Sequence, residues 1–216
     1  MKKLTYSIPF IAMVIASSGV AKAHSNYEQQ FCATADEKAL VTDFVTNKRP
    51  GKPLPVAART LDILEGKVAT SLPSDLTVGT LGSPEVFKKV WASVEAWGAE
   101  TSVGLVFTEN KVHTFVVPSL VPMTQPGDGP LADLYADNGN GIHSHVDPTD
   151  VKAIYAAKLP AGDGFTRTLS FYDSKGGLIW ALIAGEANGK GEKAAIDGFE
   201  ETWKLIASMP QACMTH

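Results

Sequence analysis

The sequence predicts an α+β domain: N-terminal helices, then a large antiparallel β-sheet, then a C-terminal helix. Three observations predict it. Apolar residues recur at helical spacing as far as Trp97, alternate with period two between Ser102 and Ala184, and return to helical spacing from Lys193. Runs rich in Gly, Pro, Asn and Asp separate these stretches. The 216 residues, 44% apolar and 19% charged, suit one globular domain, being too apolar for a disordered chain and too charged for a membrane bundle.

Residues 1–23 read as a secretory signal. Met1-Lys2-Lys3 is a positive start, 8–20 is an apolar stretch, and Val20-Ala21-Lys22-Ala23 offers small residues for cleavage after Ala23. A spanning helix needs about 20 apolar residues, so this stretch is too short to be one. Residues 24–216 are then expected as a single periplasmic or secreted domain, with no acylated cysteine to anchor it. In that oxidising setting Cys32 and Cys213 are expected to pair, which requires the first and last helices to lie side by side.

Residues 37–46 have helical character, with Ala39, Leu40, Phe44 and Val45 apolar, and end before Asn47-Lys48-Arg49-Pro50-Gly51. A second helical stretch, about 56–72, carries Leu61, Leu64 and Val68 on one face. Ser83 caps a third helix with Pro84 at its first position and Glu85 in its first turn. Its apolar face is Val86, Phe87, Val90, Trp91, Val94 and Trp97, and Gly98 ends it. Strands are expected at 102–108, 111–117, 141–147, 152–159, 166–172 and 178–184, in an antiparallel meander. Glu109-Asn110 and residues 173–177 read as hairpin turns, and 118–130 as a long Pro/Gly loop. A last helix, about 193–208, carries Ile196, Phe199, Trp203 and Ile206 at core-like spacing.

Charge and motifs exclude several functions. Of 19 basic side chains three lie in residues 1–23, leaving 16 against 23 acidic ones, a net charge of −7. That argues against nucleic-acid binding, which needs a basic surface. Phosphate-binding loops, a nucleophile elbow and the H-E-x-x-H zinc motif are all missing. No C-x-x-C-H is present for covalent haem, and no C-x-x-C for a thioredoxin-like couple.

The one compact polar constellation is 139–147, Gly-Asn-Gly-Ile-His-Ser-His-Val-Asp. In a strand, His143, His145 and Asp147 face one way while Ile142, Ser144 and Val146 face the other. Two imidazoles at that spacing suit convergence on a metal or on one face of a bound ring; solvated polar positions of an edge strand are the plain alternative. The H-x-H also fits a cupin, but the only later histidine is His216, so the second half of that motif is missing. Cleavage after Ala23 would also expose His24 as an amino-terminal copper chelator, with His113, His143 and His145 as partners.

Four elements in order resemble a known family. Leu72-Pro73 precedes Phe87-Lys88-Lys89-Val90-Trp91 with Trp97-Gly98; then come Gly141-Ile142-His143-Ser144-His145-Val146 with Val151-Lys152-Ala153-Ile154-Tyr155, and the hairpin Thr168-Leu169-Ser170-Phe171-Tyr172-Asp173-Ser174-Lys175-Gly176-Gly177. Together they resemble the ChuX/HutX family of haem-utilisation carriers over about residues 55–186. The resemblance implies a sheet related to one half of the larger HemS-like haem-transport proteins, a homodimer, and haem as the ligand. The four tryptophans, Trp91, Trp97, Trp180 and Trp203, are many large apolar groups for a monomer of this size.

The resemblance implies a non-catalytic carrier that binds haem and exchanges it with a donor or acceptor protein. Two features depart from the family: the chain carries an export signal, and its segment before the histidine strand, 130–136, keeps one aromatic, Tyr135. Candidate iron donors are Tyr135, His143 and His145, with Met123 less suited, and Arg167 or Lys152 could neutralise a propionate. Ferric iron favours an anionic oxygen donor, so Tyr135 is expected to swing over from the end of the loop, with His143 or His145 as the competing ligand. A metal-dependent protein built on His113, His143 and His145, and a ligand-free interaction module on the same fold, are the other two readings.

Overall fold

The structure is a computed structural model that describes residues 31–109, 113–127, 129–185 and 193–213. The expected signal segment and His24 lie outside the described residues, as does Asn110 of the first hairpin turn. The first helix that lies wholly within the described residues, α1 (Ala35–Asp43), opens with a capping box at Thr34. Thr34 Oγ1 accepts from the Glu37 amide at 3.2 Å, and Glu37 Oε2 accepts from the Thr34 amide at 2.7 Å. The helix widens into a π turn, Phe44–Lys48, two residues beyond the expected end.

The single helix expected at 56–72 is two helices, α2 (Leu54–Leu61) and α3 (Glu65–Ser71). Asp62 adopts a left-handed conformation (φ 54°), which breaks the helical path, and the Ile63 amide closes the end on Ala58 O at 3.0 Å. Helix α4 (Pro84–Glu95) is as expected: Ser83 Oγ accepts from the Val86 amide, and Phe87, Val90, Trp91 and Val94 are buried. The closing helix is α5 (Lys193–Ala207).

The described residues form nine strands, in chain order β1 (Thr77–Leu81), β2 (Ser102–Glu109), β3 (His113–Leu120), β4 (Met123–Gln125), β5 (Ala132–Tyr135), β6 (His143–Val146), β7 (Ala153–Ala161), β8 (Gly164–Tyr172) and β9 (Leu178–Gly185). They form two sheets, ordered β1-β7-β8-β9-β2-β3 and β4-β5-β6. The expected meander is corrected in two ways. The β2–β3 hairpin joins the far edge through β9, and the histidine strand β6 leaves the large sheet for the small one. Three strands, β1, β4 and β5, stand where none was expected, two of them at the former 118–130 loop and just after it. Pro118 is tolerated within β3 because that strand is an edge. The turn at 173–177 is as expected: Asp173 Oδ1 accepts from the amides of Lys175 and Gly177 at 2.7 and 2.9 Å.

The large sheet is covered on both faces. Ala153, Tyr155, Ala157 and Leu159 pack with residues of α1, α2 and α3 on one side. Ile154, Ala156, Leu169, Phe171 and Trp180 pack with α4, α5 and the small sheet on the other. Trp91, Trp97 and Trp180 are buried in this second core, and Trp203 packs half-buried against it. No helix among the described residues is long and apolar enough to cross a membrane.

The bridge between Cys32 and Cys213 is present, with Cα atoms 5.3 Å apart. Its route corrects the expectation of adjoining helices, because α1 and α5 cover opposite faces of the sheet. The tail after α5 instead runs along β1: Gln211 Oε1 accepts from the Gly79 amide at 3.1 Å, and the Ala212 amide donates to Gly79 O at 3.0 Å.

Gly79 has a second reason to be glycine. It stands opposite Tyr155 in the β1–β7 register, and a Cβ there would lie 1.9 Å from the Tyr155 ring. Gly79→Ala is therefore expected to cost about 1–3 kcal/mol through overpacking. Thermal denaturation measures it, and an unchanged midpoint would mean that the buried ring can turn aside.

Candidate functional site

Strand β6 alternates as its pattern requires. Ile142 and Val146 pack against the core while His143 and His145 are exposed. Asp147 lies beyond the strand and is engaged by its own turn. Hydrogen bonds from the Thr149 hydroxyl and then the Thr149 amide, at 2.7 and 2.8 Å, hold its carboxyl below the usual carboxylate range.

Strand β5 gives this histidine pair its company. In the antiparallel register Tyr135 stands opposite His143 and Asp133 opposite His145, so the four side chains share one face. Leu134, on the other face of β5, is fully buried. The Tyr135 and His143 ring centroids are 4.9 Å apart, and His143 meets His145 edge-on at 5.2 Å. His145 Nδ1 lies 2.5 Å from Asp133 Oδ1. Strand β4 adds Met123 opposite Tyr135, half-buried against the core.

Tyr135 is therefore not at the end of a swinging loop, as the sequence suggested. It is a strand residue held in register across from His143. Asp133 is the functional side chain that sequence reasoning missed. Its signal was its place two residues before Tyr135, which sets both on one face once 132–135 is known to be a strand.

His145 also lines a cleft of about 600 Å³ between β6 and the turn joining β8 to β9. Phe107, Leu131, Ile179 and Trp180 supply its apolar wall, and Lys175 is the only lysine or arginine among the described residues that line it. The buried Trp180 Nε1 has no hydrogen-bond partner among the described residues. Asp147, Asp150 and Asp173 make the polar rim acidic.

The structure does not bring the other expected residues to this face. Arg167 lies on β8 and pairs through Nε with Glu200 Oε1 of α5 at 3.0 Å, and Lys158 pairs with the same carboxylate. Burial alone would raise the Glu200 carboxyl, but hydrogen bonds from Lys158 and Arg167 outweigh it and hold the group below its ordinary value. Arg167 is thus already engaged, sharing one carboxylate with Lys158. Lys152 Nζ donates to Thr149 O. His113 lies on β3 against the Phe115 ring, at 4.2 Å between centroids. Among the described residues no three His, Cys, Asp or Glu side chains converge to hold a metal ion, so His113, His143 and His145 do not form one centre. Tyr135, His143 and His145 remain the donors that could reach a single iron from one face.

No family model matches the chain, and no curated protein matches it in sequence. Solved structures do match. A protein of Erwinia carotovora superposes with a TM-score of 0.60 at 16% identity, over 77% of this chain and 98% of its own. The haem-binding protein ChuX superposes with a TM-score of 0.57 at 16% identity, over 78% of this chain and 97% of its own. The Escherichia coli haem oxygenase ChuS gives a TM-score of 0.56 at 12% identity, over 80% of this chain and 50% of its own. Identities this low speak for the fold, and they show that this chain has the fold of ChuX and of one half of ChuS.

Proposed function

We propose that the protein is an exported haem carrier, which binds ferric haem non-covalently on the outer face of β5 and β6 and performs no chemistry on it. One observation carries the reading: a phenol and two imidazoles stand together on two paired strands, beside a cleft with one apolar wall that shares His145. ChuX is a haem-binding protein and ChuS a haem oxygenase. A shared fold does not transfer an activity, so the donor face has to support it.

That face fits an iron porphyrin on three counts. Phenolate and imidazole are both established axial donors to haem iron. The cleft, about 600 Å³, is within the ordinary range for a small-ligand site. Trp180 adds to its apolar wall, and Lys175 supplies a positive charge on a rim that also carries Asp147, Asp150 and Asp173. Bound haem would bring its iron and two propionates as cargo. The chain's part is to supply the donor, to cover part of the ring with Phe107, Leu131 and Ile179, and to hold the face in register through β5–β6 pairing. Export rests on the signal-like residues 1–23, and a bridged pair of cysteines suits an oxidising compartment. Pairing of two copies, and a protein that donates or accepts the haem, belong to the same reading through the family resemblance.

Hemin titration followed by absorbance tests it. A saturable Soret shift at one hemin per chain is expected, with affinity reduced at least about tenfold in the combined variant Tyr135→Phe, His143→Ala, His145→Ala. Equal affinity in that variant would remove this face as the site.

A further inference from the structure

Asp133 and His145 make a side-chain hydrogen bond across the donor face, and nothing in the sequence motif announces it. A carboxylate can only accept hydrogen bonds, so at 2.5 Å from Asp133 Oδ1 the Nδ1 of His145 must be the donor. A neutral imidazole has one N–H. With that proton on Nδ1, the lone pair is on Nε2, free to bind a metal.

We propose that Asp133 is a positioning residue that selects His145, among the three donors of the face, as the iron ligand. The inference rests on the haem reading and deepens it. Three observations carry the choice. Asp133 is His145's direct cross-strand neighbour, so the pair is built by β-sheet register and not by chance approach of two surface side chains. The Asp133 side chain is three-quarters covered, which keeps its position fixed. His145 is also the member of the donor set that lines the cleft, whereas Tyr135 and His143 do not.

A carboxylate behind a ligating imidazole fixes the tautomer and ring orientation and raises the basicity of the donor nitrogen. Greater donor strength stabilises ferric over ferrous iron. Asp133 should therefore slow haem loss and lower the reduction potential of the bound iron, acting only through His145.

Two readouts separate this inference from the haem reading itself. The first needs no haem. Side-chain nitrogen NMR of the free protein is expected to show His145 with its proton on Nδ1, and Asp133→Ala to move it towards Nε2. A His145 that carries its proton on Nε2 in the unaltered protein overturns the proposal, whatever hemin does. The second uses the hemin complex. Asp133→Ala is expected to speed hemin loss by about 10–100-fold. Asp133→Asn, which keeps an acceptor but no charge, should raise the iron's reduction potential and lower the ferrous iron–histidine stretching frequency. In a His145→Ala background, Asp133→Ala should change hemin loss no further. If Asp133→Ala fails to fold, the Asn variant decides.

A reduction potential and a stretching frequency unmoved in the Asn variant overturn the role. So does a Tyr135→Phe variant that alone loses the Soret band while His145→Ala keeps it. A protein that gives no Soret shift at all overturns the haem reading, and this inference with it.

Discussion

Replacing Cys32 and Cys213 by serine is expected to cost about 5 kcal/mol. The bridge spans 181 positions, and in the chain-entropy model a cross-link that closes so long a loop removes much of the freedom of the unfolded chain. For a domain of this size the thermal midpoint should fall by roughly 10–20 °C. The folded structure also shows what the bridge holds. Buried Phe31 lies against Gly66 of α3 on one side of it, and on the other the 211–212 tail is tied to Gly79 of β1 by two hydrogen bonds. The bridge therefore joins the helical cover of one sheet face to the edge strand of that sheet. Those hydrogen bonds hold the tail without the bridge, so the folded state of the serine variant should keep its fold and its hemin titration. Calorimetry of the oxidised protein and the serine variant checks this, and midpoints within about 2 °C would show that the unfolded chain is already compact enough to make the closure irrelevant.

What was legible in the sequence was local, and what was not was set by distant pairing. Ser83-Pro84-Glu85 announces α4 because cap, first position and first-turn charge are all properties of adjacent residues. The Ile142–Val146 alternation was equally plain, and burial follows it residue by residue. Strand β5 was not plain: Ala132 and Asp133 are poor strand formers, and the segment is a strand because β4 and β6 flank it. With β5 unseen, Tyr135 read as a loop residue and Asp133 as nothing in particular. β1 was hidden in the same way, as five residues with a glycine at their centre that a tyrosine 76 positions away requires. The split into two sheets depends on which strands meet, and period-two patterning is the same in either sheet.

The donor face should also fail from beneath. Leu134 is wholly buried under the small sheet and joins the core that α4, α5 and the large sheet share. Leu134→Ala is expected to cost about 2–5 kcal/mol, as large-to-small changes at such sites do. Where that loss is felt matters more than its size. Strands β5 and β6 have four residues each and β4 has three, too few to hold together without the apolar contacts of Leu134 and Val146 below them. Much of the loss should therefore appear as local opening of the small sheet, with β7, β8 and β9 left paired. Hydrogen exchange is expected to accelerate at the amides of β5 and β6 well before those of the large sheet. Hemin affinity should fall with it, because Tyr135, His143, Asp133 and His145 keep their mutual register only while those two strands are paired. His145→Ala gives the contrasting pattern: hemin affinity lowered, exchange in β5 and β6 unchanged, and thermal midpoint unchanged, since that side chain is exposed. Normal exchange in the small sheet of the Leu134→Ala protein, together with full hemin affinity, would mean that the face is held by something other than the packing beneath it.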